Sequence, residues 1–430
     1  MKRVLIVSPY FPPSTVAGVH RARILARHLP QWGWEPVVFC VHERFHEQRL
    51  DWDLAELVGG GARVVKVGAW PTRWSRRVGI GDLGMRGYGA LKRAVSGCVR
   101  DEGADLLFIT VLPGLPIAMA PRIKRAHGLP FVVDYQDPWL PRGHEQVRPL
   151  TKRWAVHQLA RWIEPRVLRQ ADHITTVSDG TSALIRSRYP FLGPERFTTH
   201  PIGGDPLDFA FLAARQRPCP WVEQRARRVN ICYVGNVWER ALRTLRAVFD
   251  AAALLRERRP DVFGRLHFVF VGSSNQPDAA AAEVALPIAR AAGIAELVSE
   301  EPSRVPYLDA LNVLLQADVI LMIGSDDPHY TASKLYPVLL ARRPVLGVFH
   351  EASSVCEIAE AVGGGRLVTF GEGAPVEARI GEIADALVET VEAPGALGSV
   401  DEERLAPYLA PSIAKGFARV FDAVVEGHGQ

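Results

Sequence analysis

Ten short apolar runs recur along this chain, separated in most cases by segments with helical spacing. RVLIVS (3–8), EPVVFCV (35–41), ARVVKV (62–67), DLLFITV (105–111), PFVVDY (130–135) and HITTVS (173–178) make a first series. VNICYVG (229–235), LHFVFVG (266–272), DVILMIG (318–324) and PVLGVF (344–349) make a second. The runs are rich in β-branched residues and show little polar alternation. Strands of that kind are buried on both faces, so the sheets they form are parallel and helix-covered. A proline- and arginine-rich stretch, RQRPCPWVEQRARR (215–228), divides the two series.

The pattern predicts an α/β protein of two doubly wound, Rossmann-like domains with a cleft between them. The boundaries expected are 1–214, a linker at 215–228, 229–410, and a terminal amphipathic helix over 411–430. Ligands of such sheets bind beyond the strand C-termini, where loops run into helix N-termini. At 430 residues, 48% hydrophobic and 23% charged, the composition excludes a disordered chain. The net charge of +4 is too small to argue for nucleic acid and suits acidic small molecules or an anionic surface. Five dispersed cysteines without a CxxC pair read as reduced thiols. MKRVLIVSPYFPP is too short an apolar run for a signal peptide, and no stretch nears the ~20 residues a membrane span needs. The expected location is the cytoplasm.

Three motifs invite other readings. HERFH (42–46) matches the HExxH zinc pattern, which needs a helix, but it follows directly on a strand, where a loop is expected. GIGDLG (79–84) matches GxGxxG without a preceding strand, which argues against a dinucleotide fold. DWD (51–53) opens an apparent helix, where acids suit the dipole in any case. No metal and no resident cofactor are expected.

Loops after strands carry the positive signals. SPYFPPSTVAG leads from the first strand into a helix bearing His20, Arg21 and Arg23, and Gly18 would let backbone approach a ligand. YVGNVWERALRTL (233–245) repeats that layout, with Gly235, Asn236, and Arg240 and Arg243 on one helix face. Arginines there can grip phosphate bidentately, or Arg240 can pair with Glu239. SKLYPVLLARRPVL (333–346) places Ser333 and Lys334 at a helix start, where free N–H groups and an ammonium would bind a diphosphate. Ser333 could equally be a plain N-cap with Lys334 solvated. Pro337 either distorts the first turn or marks a helix that begins late.

Seven segments together resemble the retaining glycosyltransferases of GT-B fold, family 4. They are SPYFPP…AGVHR, VVDYQDPW, ADHITTVSDGTSALI, HPIGGDPLDF, YVGN, RVPYLDALNVLLQADVILMI and SKLY…LLARRPVL, and they span nearly the whole chain. The resemblance implies transfer of a sugar from a nucleotide diphosphate sugar, a co-substrate, to a saccharide, lipid-linked or small-molecule acceptor. It implies donor binding on the second domain by Gly235, Asn236, Arg243, Arg304, Val305, Ser333, Leu335 and Tyr336, with Gly18 from the first. Catalytic roles would fall to Arg240, Lys334 and Asp137, and acceptor contacts to His20, Asp134 and Gln136. Asp137 would be a base or an acceptor ligand; a loop-capping aspartate before Pro138 is the plainer alternative.

Two positions depart from the family. Its Glu-x7-Glu pattern falls on His329 and Pro337, so the ribose-binding carboxylate is missing, and Glu351 is the nearest substitute. The family histidine after the fifth strand is replaced by Gln136. A degenerate relative, binding a nucleotide sugar or activating a partner enzyme, is therefore a second reading. A nucleotide-sugar epimerase of similar fold is a third.

Residues 72–100 carry seven Lys/Arg against one Asp, with Trp74 and Tyr88 among them. Residues 150–170 carry five Lys/Arg against one Glu, with Trp154 and Trp162 eight apart. Peripheral docking on the anionic inner face of a membrane is open for the first stretch. For the second, tryptophans packed inward beneath solvated arginines are expected.

Overall fold

The computed structural model describes residues 1–78, 81–141, 147–222, 228–274, 276, 280–326 and 333–428. They form two compact units, Met1–Gly203 with Ala410–Gln430, and Gly204–Leu409.

The first unit holds a seven-stranded parallel sheet: β1 (Lys2–Val7), β2 (Trp34–Val41), β3 (Arg63–Val67), β4 (Leu106–Thr110), β5 (Phe131–Tyr135), β6 (His173–Thr176) and β7 (Phe197–Thr199). The second holds six parallel strands: β8 (Val229–Val234), β9 (Leu266–Val271), β10 (Val298–Glu301), β11 (Val319–Ile323), β12 (Val345–His350) and β13 (Gly365–Phe370). Their orders are β3-β2-β1-β4-β5-β6-β7 and β10-β9-β8-β11-β12-β13. Each sheet therefore reverses direction once, between β1 and β4 and between β8 and β11, which creates a switch-point crevice at the strand C-termini.

Every apolar run read as a strand is one. Interior strands such as β4, β5, β9 and β11 are buried along their whole length. Their β-branched and aromatic side chains meet a helical layer on each face. Three strands were not apparent in the sequence: β7 (FTT), β10 (VSEE) and β13 (GRLVTF). All three are edge strands, half-covered and partly polar.

One face of the first sheet is closed by the terminal helix, Ala410–His428. Its Ile413, Ala414, Phe417, Ala418 and Phe421 share a core with Val4, Ile6, Leu25, Trp34, Val38 and Phe108. Phe417 stands edge-on to Phe108 at 5.5 Å between ring centroids, and Phe421 to Trp34 at 5.4 Å. Edge-to-face pairs of this kind add to the area term.

The division between units falls earlier than the proline-rich stretch suggested. Helix Pro206–Ala213 belongs to the second unit, where the Tyr307 hydroxyl donates to Asp208 at 3.0 Å. The stretch itself is fastened there too. Arg217 pairs with Asp309 at 2.9 Å, and the Asn312 amide donates to the carbonyls of Arg217 and Pro218. Residues 223–227 of the expected linker lie outside the described residues.

The misleading motifs resolve into ordinary local structure. His42 and His46 bracket a three-residue 3-10 turn after β2, and the His46 Nε2 lies 3.0 Å from the Val41 carbonyl. Asp51 caps the short helix Trp52–Glu56. Gly79 and Ile80 of GIGDLG lie outside the described residues; its Asp82 caps helix Leu83–Glu102 by accepting from the Met85 N–H at 2.9 Å.

Candidate functional site

In the first unit the switch-point loop is tied down by its own hydrogen bonds. The Ser8 hydroxyl donates to the Tyr10 carbonyl at 2.7 Å, and the Asp51 N–H to the Pro13 carbonyl at 2.7 Å. Gly18 ends the loop at φ −62°, so backbone strain does not demand glycine. Space does: a Cβ there would lie 2.4 Å from Leu112 Cδ2 and 3.3 Å from Gln136 Oε1.

The cations after this loop turn inward. Arg21 is fully buried and pairs with Asp134 at 3.3 Å. Its guanidinium also donates to the carbonyls of His200 and Pro201 and lies 4.7 Å from the Phe417 ring centroid. Thr175 adds a 2.7 Å hydrogen bond to Asp134. Burial nonetheless pushes the Asp134 carboxyl up, outweighing the opposing pull of Arg21. His200 beside them is pushed down to about 4, first by burial and then by Arg21. Asp134 is thus a fully buried partner of Arg21 and Thr175, without the solvent access that a direct acceptor contact would use. Its signal in the sequence was an aspartate closing an otherwise apolar interior strand. His20 is half-buried, with its Nδ1 3.4 Å from Arg23.

Gln136 and Asp137 follow β5 at the open edge. Gln136 is buried, and neither amide atom has a hydrogen-bond partner of good geometry. Asp137 is exposed, yet enough protein surrounds it for desolvation to push its carboxyl up.

The second unit gathers a different set. Gly235 and Gly272 end the adjacent strands β8 and β9 with φ of +100° and +73°, a region glycine tolerates. A Cβ on Gly235 would lie 2.5 Å from the Lys334 Nζ, so the glycine also clears room for the lysine. Lys334 donates to the Asn236 carbonyl at 3.3 Å and stands 5.1 Å from the Tyr233 ring centroid. The Asn236 Oδ1 is buried without a partner. Burial pulls the Lys334 ammonium down to about 8, and the Arg304 cation adds to the shift. Lys334 keeps some solvent access, so protein walls surround it without sealing it off. Among the described residues Lys334 has no carboxylate partner. A lysine held beside a second cation, under a glycine turn at a switch point, is suited to an anion.

Other residues expected here lie elsewhere. Arg243 is held by Glu377 at 2.6 Å and faces Asp326 at 3.5 Å. Leu335 and Tyr336 are buried, and Tyr336 stacks on Tyr408 with centroids 5.9 Å apart. Their side chains seat the helix against the unit's interior. Glu351 lies by the β13 end, where a Cβ on Gly371 would meet its Oε1 at 2.3 Å. Arg240 is exposed in the 3-10 turn Glu239–Ala241, just ahead of helix Leu242–Arg258; Arg304 is exposed in a loop, and Val305 is half-buried. The helix begins at Leu335, with Lys334 as N-cap and Ser333 in the preceding turn. Pro337 therefore occupies the first turn, where its missing N–H breaks no helical bond. At six residues, Leu335–Leu340, the helix supplies less dipole than expected. His329 and Thr331 lie outside the described residues. Among the described residues no group of three His, Cys, Asp or Glu could hold a metal, and no helix is long and apolar enough to cross a membrane.

Residues 18–203 match the family described as "Glycosyl transferase 4-like domain". No curated protein sequence matches the chain significantly. Solved structures share its fold over nearly full length. A glycosyltransferase from Rickettsia africae aligns at TM-score 0.65 and 10% identity, covering 99% of this chain and 98% of that one. A UDP-forming α,α-trehalose-phosphate synthase from Burkholderia xenovorans, in complex with glucose-6-phosphate, aligns at 0.62 and 13%, covering 98% and 100%. Anabaena HepE in complex with UDP-glucose aligns at 0.56 and 14%, covering 100% and 98%. The fold is GT-B, and the domain match supports a glycosyltransferase.

Proposed function

We propose that the chain is a retaining, family 4 glycosyltransferase that takes its sugar from a nucleotide diphosphate sugar bound by the second unit. The observation that carries this reading is Lys334: a desolvated ammonium without a carboxylate partner among the described residues, held at the Gly235–Asn236 turn beside Arg304. Lys334, with Arg304 and Arg240, would hold the diphosphate and stabilise the charge that develops as it leaves. The complex of HepE with UDP-glucose supports a nucleotide sugar as the ligand class. The acceptor, a saccharide, a lipid-linked sugar or a small molecule, would meet the first unit near Gln136 and Asp137, in the cytoplasm. Asp137, exposed with a raised carboxyl, would hold the acceptor hydroxyl or take its proton.

The test is nucleotide diphosphate release from a panel of nucleotide sugars with mixed acceptors, and the anomeric configuration of the product by NMR. Release that falls at least a hundredfold in Lys334→Ala, with retained configuration, is expected. An inverted product would remove the retaining assignment. Arg243 held by Glu377 and the missing carboxylate at Pro337 favour the second reading, a binder without transfer. Tight nucleotide binding with no release from any donor would establish that one.

A further inference from the structure

Two tryptophans of the first unit stand in solvent with guanidinium groups stacked on them. Trp162, on helix Lys152–Leu168, is 59% exposed, and Arg166 lies 4.5 Å from its ring centroid. Trp74, on the short helix Thr72–Ser75, is 56% exposed, with Arg73 and Arg77 at 5.6 and 5.1 Å. Phe191, also partly exposed, carries Arg169 at 4.3 Å. Among the described residues none of Arg73, Arg77, Arg166 or Arg169 is ion-paired. Arg63 and Arg256, exposed elsewhere, each have a carboxylate.

The sequence placed the tryptophans of 150–170 inside; the structure turns Trp162 outward and leaves Trp154 half-buried. Trp162, Arg166 and Arg169 fall on one helix face at spacings of four and three. The opposite face buries Ala160, Ile163, Glu164 and Val167. Glu164, the one acid of the stretch, is fixed inside by the Tyr135 and Tyr189 hydroxyls at 2.7 and 2.5 Å. The outward face is therefore cationic and aromatic without an exposed acid of its own.

Both patches belong to the layer over one face of the first sheet. Ile163 and Val167 share a hydrophobic cluster with Leu83, Leu91 and Ile117. The segment bearing Trp74 is tied to that layer by the Arg86 Nε, which donates to the Trp70 carbonyl at 2.8 Å.

We propose that this face docks on an anionic lipid surface. Unpaired arginines match anionic headgroups, and a tryptophan ring fits the boundary between headgroup and acyl chain. An acidic protein would also satisfy the charges, but the two arginine–tryptophan patches stand on separate helices of one layer, which suits an extended anionic surface.

Vesicle sedimentation tests this without any nucleotide sugar, so its failure is distinguishable from failure of the enzymatic reading. The protein should pellet with vesicles of equal parts phosphatidylglycerol and phosphatidylcholine, stay soluble with phosphatidylcholine alone, and be released by high salt. Reversing Arg166 and Arg169 to Glu should lower partitioning on the order of tenfold or more. Trp162→Ala and Trp74→Ala should each lower it severalfold, with thermal midpoints unchanged because both side chains are exposed. Equal binding to neutral vesicles, wild-type binding by the reversed variant, or no vesicle binding at all would overturn the proposal. Loss of a dimer in Trp162→Ala without vesicle binding would assign the face to a second copy and overturn it as well.

Discussion

The two sheets reverse their strand order in the same way, yet they treat positive charge oppositely at the reversal. In the first unit Arg21 is fully buried and meets Asp134, two backbone carbonyls and an aromatic face. In the second, Lys334 is walled in beside another cation and, among the described residues, meets a carbonyl and a ring but no carboxylate. One site is internally neutralised and serves the fold. The other carries an unbalanced charge that an anionic ligand would neutralise. Desolvation acts on both: it raises Asp134 despite its partner, and it lowers Lys334 without one.

The contrast can be broken most severely in the first unit. Arg21→Ala strands a buried carboxylate and should destabilise that unit by ~3–5 kcal/mol in urea unfolding. A loss under ~1 kcal/mol would mean that the Arg21–Asp134 pair is not structural. In the second unit the sign should invert. Lys334→Met removes a desolvated charge and should stabilise the protein by ~1–2 kcal/mol at neutral pH, less than the full pKa shift implies because the lysine keeps solvent access and two contacts. The same variant should bind nucleotide diphosphate at least tenfold more weakly by calorimetry. Stabilisation without loss of binding would detach Lys334 from the ligand.

The pH dependence sharpens the comparison further. Lys334 is charged below about 8 in the folded protein, against 10.5 for a solvated lysine. Nucleotide affinity should accordingly fall as pH rises through about 8. Between there and 10.5 the unfolded chain binds the extra proton, so this group's penalty on folding shrinks as pH rises. Affinity that stays flat across that range would remove the ammonium from the site. The smallest effect belongs to Arg243. Its exposed pair with Glu377 should leave the unfolding midpoint unchanged in Glu377→Ala. If Arg243 also reaches the ligand, that variant should bind nucleotide more tightly by severalfold, which is what releasing a competing carboxylate would do.

The interior of the fold was legible because burial on both faces leaves an unmistakable apolar run, as in LLFIT and VILMI. The edge strands VSEE and FTT carry no such run, since half their surface meets water or loops. The units divide at Gly203–Gly204, ahead of the proline-rich stretch, for a related reason. Proline and arginine look like a linker, but Arg217 is recruited by Asp309, a contact 92 residues away in sequence. At the site, the glycines and Lys334 were legible from their place after strands. Whether a charged residue faces ligand or core was not: Arg21, Asp134 and Arg243 each found an opposite charge that only the folded chain brings near. Leu335 and Tyr336 were assigned to a ligand through the motif around them, although their apolar character fits the interior they occupy.

The terminal helix has one more consequence. Trp34, Phe108 and Val4 wait for Phe417 and Phe421 to cover them, although the intervening chain builds an entire second unit. During synthesis part of one face of the first sheet, the part that helix Val19–His28 does not cover, therefore stays open while some two hundred residues are added, and it is completed only when helix Ala410–His428 leaves the ribosome. The second unit is an insertion into the first in the order of assembly, so a nascent chain paused before residue 410 would present an apolar sheet face to whatever chaperone stands nearest.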